Sequence, residues 1–275
     1  MKPLYISDLD GTLLNANKRI SSYSIQTLHK LIERGVCFSY ATARSLSSAS
    51  VVAEGLRLSL PVVAYNGTMI VDASNGEVLS LERLDAADLF DVRELLNKEK
   101  IYPLVYSFLD GRERVSWLAG VENDGILHYI KERGSDTRLR KVNSVEELYR
   151  GEIFYITCIG EQQELNRVYE RFAPDKRLTC VFQKELYREE FWLELMPRTA
   201  TKAHAVMKLK KIAGCDRVVA FGDALNDLPL FQASDECYAV ANAVRELKAA
   251  ATGIIASNNE DGVARWLERN AVCAK

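Results

Sequence analysis

Only 6 prolines, 15 glycines and 3 histidines occur in 275 residues, and no tract is rich in any of them. That scarcity excludes collagenous, low-complexity and linker-dominated chains. Cys37, Cys158, Cys180, Cys215, Cys237 and Cys273 form no C-x-x-C pair and show no metal-type spacing, so they read as buried thiols rather than a disulfide framework or a ligand set. No apolar run approaches the roughly 18 residues of a membrane span, and Asp8 interrupts the amino-terminal segment before a signal-type apolar region accumulates. The expected location is therefore the cytoplasm, with no membrane partner. Neither sign of charge dominates: 36 Lys plus Arg face 38 Asp plus Glu, a net charge of −2. No basic excess recommends nucleic acid as a partner, so any attraction for an anion has to be local.

What is present is an ordinary globular composition, 48% hydrophobic and 27% charged, long enough for one large α/β domain or two domains of common size. The first eighty residues alternate strand-like runs (Leu4–Ile6, Val36–Ala41, Pro61–Tyr65) with helical patterns (Ser24–Arg34, Leu46–Leu56). That rhythm predicts a parallel sheet flanked by helices. It resumes after residue 200, with a helix over Ala203–Ile212, strands at Arg217–Phe221 and Cys237–Val240, and a closing helix near Gly262–Arg269. The middle differs. Tyr102–Phe108 and Glu113–Leu118 flank the turn signal Asp110-Gly111 and predict an antiparallel hairpin. Helical patterns at Asp124–Arg133 and Gln162–Phe172 surround strand candidates at Ile153–Cys158, Leu178–Phe182 and Phe191–Met196. The expected fold is α/β: a doubly wound, mostly parallel, Rossmann-like core from residues 1–83 and 197–275, with an inserted α+β domain at 84–196. No internal repeat is present.

The most informative segment is Asp8-Leu9-Asp10-Gly11-Thr12, where an apolar run delivers two carboxylates to the carboxyl end of a strand, the place where open α/β sheets bind ligands. A D-x-D-G-T arising by chance somewhere in a chain this long has a probability on the order of one or two in a thousand. Strand alternation predicts that residues 8 and 10 point to a common side, with Gly11 permitting a sharp turn. Two carboxylates so close require a hard cation between them or a shared proton; Mg²⁺ is the expected answer. Phe221-Gly222-Asp223-Ala224-Leu225-Asn226-Asp227 repeats the arrangement after a second apolar strand. Asp223 is the expected third metal-site acid, Asp227 a ligand, a group behind one or a helix cap, and Asn226 either a substrate-facing group or a helix cap. Lys202 stands at a predicted helix start, where the dipole disfavours a cation, so contact with phosphate or carboxylate explains it better than a surface role. Asn66-Gly67 is a turn signal whose alternative reading is a substrate contact.

D-x-D-G-T, Ala41-Thr42-Ala43-Arg44, Lys202 and the G-D-x-x-N-D of residues 222–227, in that order and spacing, together resemble the haloacid dehalogenase superfamily. The chain looks like a Cof-type phosphatase with a type-2 α/β cap between the second and third motifs. The resemblance implies that Asp8 attacks phosphorus to form an aspartyl-phosphate and that Asp10 acts as acid and then base. It further implies that Mg²⁺ is held by Asp8, Asp223 and the carbonyl of Asp10, and that Thr42 and Lys202 grip the phosphoryl oxygens. Thr42, Arg44, Asn66, Gly67, Lys202 and Asn226 are the implied substrate-binding positions, and Asp8, Asp10, Asp223 and Asp227 the implied metal positions. Ala43 and Ala203 depart from the glycine common in the family.

The implied activity is Mg²⁺-dependent hydrolysis of a small phosphorylated metabolite, such as a sugar phosphate. The alternatives are a sugar phosphomutase of the phosphomannomutase type and a non-catalytic metabolite sensor. In the insert, Arg112, Arg114, Tyr187 and Arg188 are weak candidates for substrate contact, while Trp117 and Trp192 read as core. His29, His128 and His204 match no motif. Which ester is hydrolysed, and the oligomeric state, are not legible.

Overall fold

The structure, a computed structural model, describes residues 2–174, 176–185 and 188–273. β1 (Pro3–Ser7) is buried at all five positions, as a strand covered on both faces has to be. A tight turn over residues 9–13 leads to α1 (Ser22–Glu33), which opens on Ser21, whose hydroxyl accepts the Ser24 N–H. β2 (Cys37–Tyr40) follows, then α2 (Leu46–Val52), capped in the same way by Ser45. β3 (Val62–Ala64), β4 (Met69–Val71) and β5 (Val78–Leu81) depart from the expected rhythm. They form a separate three-stranded antiparallel sheet, which meets the first sheet at a parallel bridge from Val63 to Ala41. The cause is local. Tyr65, Asn66 and Gly67 all have left-handed backbones, which reverse the chain at once at the Asn66-Gly67 turn signal, so β4 returns beside β3.

Next come α3 (Ala86–Glu99), β6 (Leu104–Leu109), β7 (Arg112–Leu118), α4 (Asp124–Glu132), β8 (Leu139–Val142) and α5 (Val145–Leu148). After them lie β9 (Glu152–Gly160), α6 (Gln162–Phe172), β10 (Leu178–Lys184) and β11 (Phe191–Pro197). Their sheet runs β10-β11-β9-β6-β7-β8. It contains the expected hairpin, and its neighbours are antiparallel except for β7 and β8, which pair in parallel. One face packs Val105, Ile156, Cys158, Leu193 and Leu195 against apolar residues of α3 and α6.

The chain then forms α7 (Lys202–Ile212), β12 (Arg217–Gly222), α8 (Leu228–Ala233), β13 (Glu236–Val240), α9 (Arg245–Ala250), β14 (Gly253–Ile255) and α10 (Gly262–Asn270). α9 and β14 carry too short an apolar signal to stand out in the sequence. The sheet order is β14-β13-β12-β1-β2, parallel throughout, so the strands from the two ends of the chain meet at β1 and β12. A core containing Phe38, Val218, Phe221, Leu247 and Leu267 surrounds this sheet. The chain divides into two compact units, residues 1–81 with 200–275, and Glu82–Thr199. No helix among the described residues is long and apolar enough to cross a membrane.

Candidate functional site

β1 and β12 lie side by side and in register, Ser7 opposite Phe221, so the residues that follow them emerge together. The Asp8 N–H donates to the Phe221 carbonyl at 2.9 Å, and Asp223 comes one residue after the last of β12. On the other side of β1, the Ala41 N–H donates to Ser7 and places Thr42 at the same sheet edge. Three carboxylates, Asp8, Asp223 and Asp227, then converge, each offering an oxygen within 4.8 Å of the others.

Lys202 enters this cluster from the first turn of α7. Its ammonium donates to Asp8 Oδ1 at 2.5 Å and to Asp227 Oδ1 at 2.6 Å, and the residue is only 3% exposed. Two glycines make this approach possible. At Gly67, with φ +101°, an added Cβ would lie 2.1 Å from the Thr201 carbonyl oxygen, so only glycine lets this turn seat against the start of α7. At Gly11, with φ +75°, a Cβ would meet Asp223 Oδ2 at 2.2 Å. Asp227 uses both oxygens: Oδ1 accepts Lys202, while Oδ2 accepts the N–H groups of Asp223 and Ala224. It therefore braces the loop that carries Asp223.

Three carboxylates facing one ammonium leave the pocket with surplus negative charge. Desolvation by burial is the largest influence on Asp8 and pushes its pKa up to about 8, against the pull of Lys202 and with help from Asp227 and Asp223. Asp223 rises to about 6, chiefly by desolvation, although the Thr12 hydroxyl donates to its Oδ1 at 3.0 Å. Burial acts against the charge on Lys202, yet Asp8 and Asp227 hold its pKa above the ordinary lysine value. A pocket lined by carboxylate oxygens and carrying excess negative charge fits a hard cation bound through oxygen.

The expected common orientation of residues 8 and 10 rests on a strand that does not reach them. The strand ends at Ser7 and the chain turns tightly over residues 9–13, so the alternation that would align the two side chains has stopped. Asp10 stands half-exposed beside Arg44, whose Nε and Nη2 donate to its two oxygens at 2.7 and 2.6 Å. Thr42 is fully buried, and its Oγ1 accepts the Arg44 N–H. Asn66 donates its N–H to the Thr42 carbonyl, and its side-chain oxygen is buried with no hydrogen-bond partner. Asn226 is exposed on the short turn Leu225–Asp227.

In the other unit, the Arg114 guanidinium donates to the Thr137 carbonyl, Arg188 pairs with Glu190, and Arg112 is exposed; Tyr187 lies outside the described residues. Trp192 packs against Tyr129 with ring centroids 5.9 Å apart, and the Trp117 indole N–H donates to Glu122. Two participants had no role assigned from sequence. Thr12, which holds Asp223, was visible inside the D-x-D-G-T motif. Asn242, whose amide donates to the Gly11 carbonyl at 2.7 Å from 231 residues away, left no sequence signal.

The sequence model of a family described as haloacid dehalogenase-like hydrolase matches residues 5–267. The chain belongs to this family. Within the haloacid dehalogenase-like hydrolases it is of the Cof type, and its relatives are phosphoric monoester hydrolases, as it is. It is 24% identical to the 5-amino-6-(5-phospho-D-ribitylamino)uracil phosphatase YwtE of Bacillus subtilis, over 95% of this chain and 96% of that one. It is 26% identical to the HMP-PP phosphatase of Escherichia coli, over 90% and 88%. A haloacid dehalogenase-like hydrolase from Bacteroides thetaiotaomicron has a similar solved structure, with a TM-score of 0.78, 26% identity and coverage of 98% of this chain and 99% of that one.

Proposed function

We propose that the protein hydrolyses the phosphate ester of a small phosphorylated metabolite through a covalent intermediate on Asp8, with Mg²⁺ as its cofactor. The observation that carries this reading is the meeting of Asp8, Asp223 and Asp227 with Lys202 at the ends of adjacent parallel strands. The names of the YwtE and HMP-PP phosphatases support the substrate class. In this reading the unit Glu82–Thr199 acts as the cap that selects among esters.

An Asp8 oxygen attacks phosphorus as the bond to the leaving oxygen breaks, and Asp10 hands a proton to that oxygen. Water then attacks phosphorus and gives a proton to Asp10. The bond from phosphorus to Asp8 breaks, releasing inorganic phosphate and restoring the carboxylate. Lys202 and Thr42 donate to the phosphoryl oxygens, where fixed donors in a water-poor pocket supply most of the acceleration. Asp227 keeps Lys202 and the Asp223 loop in place. The carboxylates of Asp8 and Asp223 and the carbonyl of Asp10 would hold Mg²⁺, whose charge would offset that of the phosphoryl group.

The test is phosphate release from a panel of phosphorylated metabolites, with Mg²⁺ and with a chelator. Free phosphate in the first arm, lost in the second and restored by added Mg²⁺, is the expected result. An isomeric sugar phosphate without free phosphate points to a mutase, and turnover indifferent to chelation ends the cofactor assignment.

A further inference from the structure

Arg44 carries an unusually complete set of anchors for a partly exposed arginine. Its guanidinium forks onto both oxygens of Asp10, at 2.7 Å from Nε and 2.6 Å from Nη2, and its Nη1 donates to Ser48 Oγ on α2 at 3.0 Å. Its backbone is pinned as well: the N–H donates to Thr42 Oγ1 at 3.1 Å, and the carbonyl accepts the Tyr65 N–H at 2.9 Å. A surface ion pair with free ends contributes little because two long side chains have to be ordered to make it. Here the arginine is ordered already by three other contacts, and the fork–fork geometry fixes the plane of the carboxylate as well as its place. With both oxygens accepting, the fork is complete for the ionised carboxylate, the form in which Asp10 receives a proton from water.

From this geometry, and resting on the mechanism proposed above, we infer that Arg44 is a positioning residue for the second half of the reaction. It aims the Asp10 carboxylate at the water that hydrolyses the phosphorylated Asp8. In that step the water oxygen bonds to phosphorus, the water proton passes to Asp10, and the bond from phosphorus to Asp8 breaks with its electron pair returning to Asp8. Arg44 itself gains and loses nothing; it restricts the base to one orientation. The consequence is a split by step. Loss of Arg44 slows dephosphorylation and leaves phosphorylation of Asp8 by an ester with a good leaving group unaffected, because that step needs no proton from Asp10.

p-Nitrophenyl phosphate with Mg²⁺ is the probe, with the phosphoenzyme trapped by acid quench. For Arg44→Ala the expected outcome is decay of the phosphoenzyme slowed about tenfold, the lower part of the range for acid–base positioning. kcat and KM should fall together while kcat/KM stays within about twofold of wild type. Added guanidinium ion should restore the decay rate, whereas Arg44→Lys, which cannot fork, should not. Ser48→Ala keeps the arginine but removes one anchor, and should slow the same decay about twofold to threefold at an unchanged thermal midpoint. A rise in KM with a lower kcat/KM makes Arg44 a ligand of the substrate phosphoryl group and overturns the inference; so does an unchanged decay rate. If wild type yields no phosphoenzyme and Asp8→Asn still turns over, the mechanism itself has failed, and this inference fails with it.

Discussion

In the unit built from both ends of the chain, three acids share one buried pocket with a lysine whose ammonium bridges two of them. In the unit Glu82–Thr199, Glu194 on β11 is shielded instead among hydroxyls. It accepts from Tyr155, near a Tyr106 whose hydroxyl lies 3.0 Å from that of Tyr129, and desolvation pushes its pKa up to about 7. Both places take carboxylates out of water, but only the first gathers opposite charge around them. Neighbouring parallel strands in register end at one edge, so whatever follows them converges, and the loops there can stack acids and a cation. An antiparallel sheet spreads its polar side chains along its faces; there burial raises the pKa of Glu194 and the Tyr155 hydroxyl only partly offsets it. The first arrangement sets a cation against its acids; the second sets neutral hydroxyls against one.

That contrast can be broken at several points. Asp8→Asn should cut phosphate release by roughly a thousandfold or more while far-ultraviolet circular dichroism stays as in wild type; substantial residual turnover would remove Asp8 from the centre of the mechanism. Lys202→Met leaves Asp8 and Asp227 facing each other without their cation, and should cost about 3–5 kcal/mol in urea unfolding together with most activity. A variant as stable as wild type would show that the pocket does not depend on the ion pair.

Gly67→Ala places a methyl on the Thr201 carbonyl at a left-handed position. It should cost roughly 2–3 kcal/mol and lower activity by shifting the start of α7, which thermal melts and assays read together. The smallest effect is expected at Glu194. Its pKa is raised from 4.5 to about 7, so the folded chain holds that proton more tightly than the unfolded one. The stabilisation is complete below pH 4.5 and drains away as pH climbs through 7. The full shift corresponds to about 3 kcal/mol, and partial access of water brings it to roughly half of that. Glu194→Gln should flatten this slope in unfolding measured between pH 5 and 8; an unchanged slope would mean the acid is already solvated.

The meeting of Asp8 and Asp223 was legible because each sits directly after an apolar strand, and a strand followed by Asp states both the residue type and its place at a sheet edge. The α/β class and the hairpin of β6 and β7 were readable for the same reason: strong runs bounded by clear turn residues. The antiparallel return through β3, β4 and β5 was not: Asn66-Gly67 marked a turn, but the short strands after it, Met69–Val71 and Val78–Leu81, carry too little pattern to show where the chain goes next. Strand alternation stops at Ser7, so it does not fix how Asp8 and Asp10 face each other.

The sequence by itself determined which charged groups follow the apolar strands and the order in which the strands present them, since residue type and local periodicity are short-range properties. Only the tertiary structure decided their partnerships: Lys202 with Asp8 and Asp227, Arg44 with Asp10, Asn242 with the Gly11 turn. Those partners stand between 25 and 231 residues apart along the chain, and the packing of a whole sheet is what brings each within hydrogen-bonding reach.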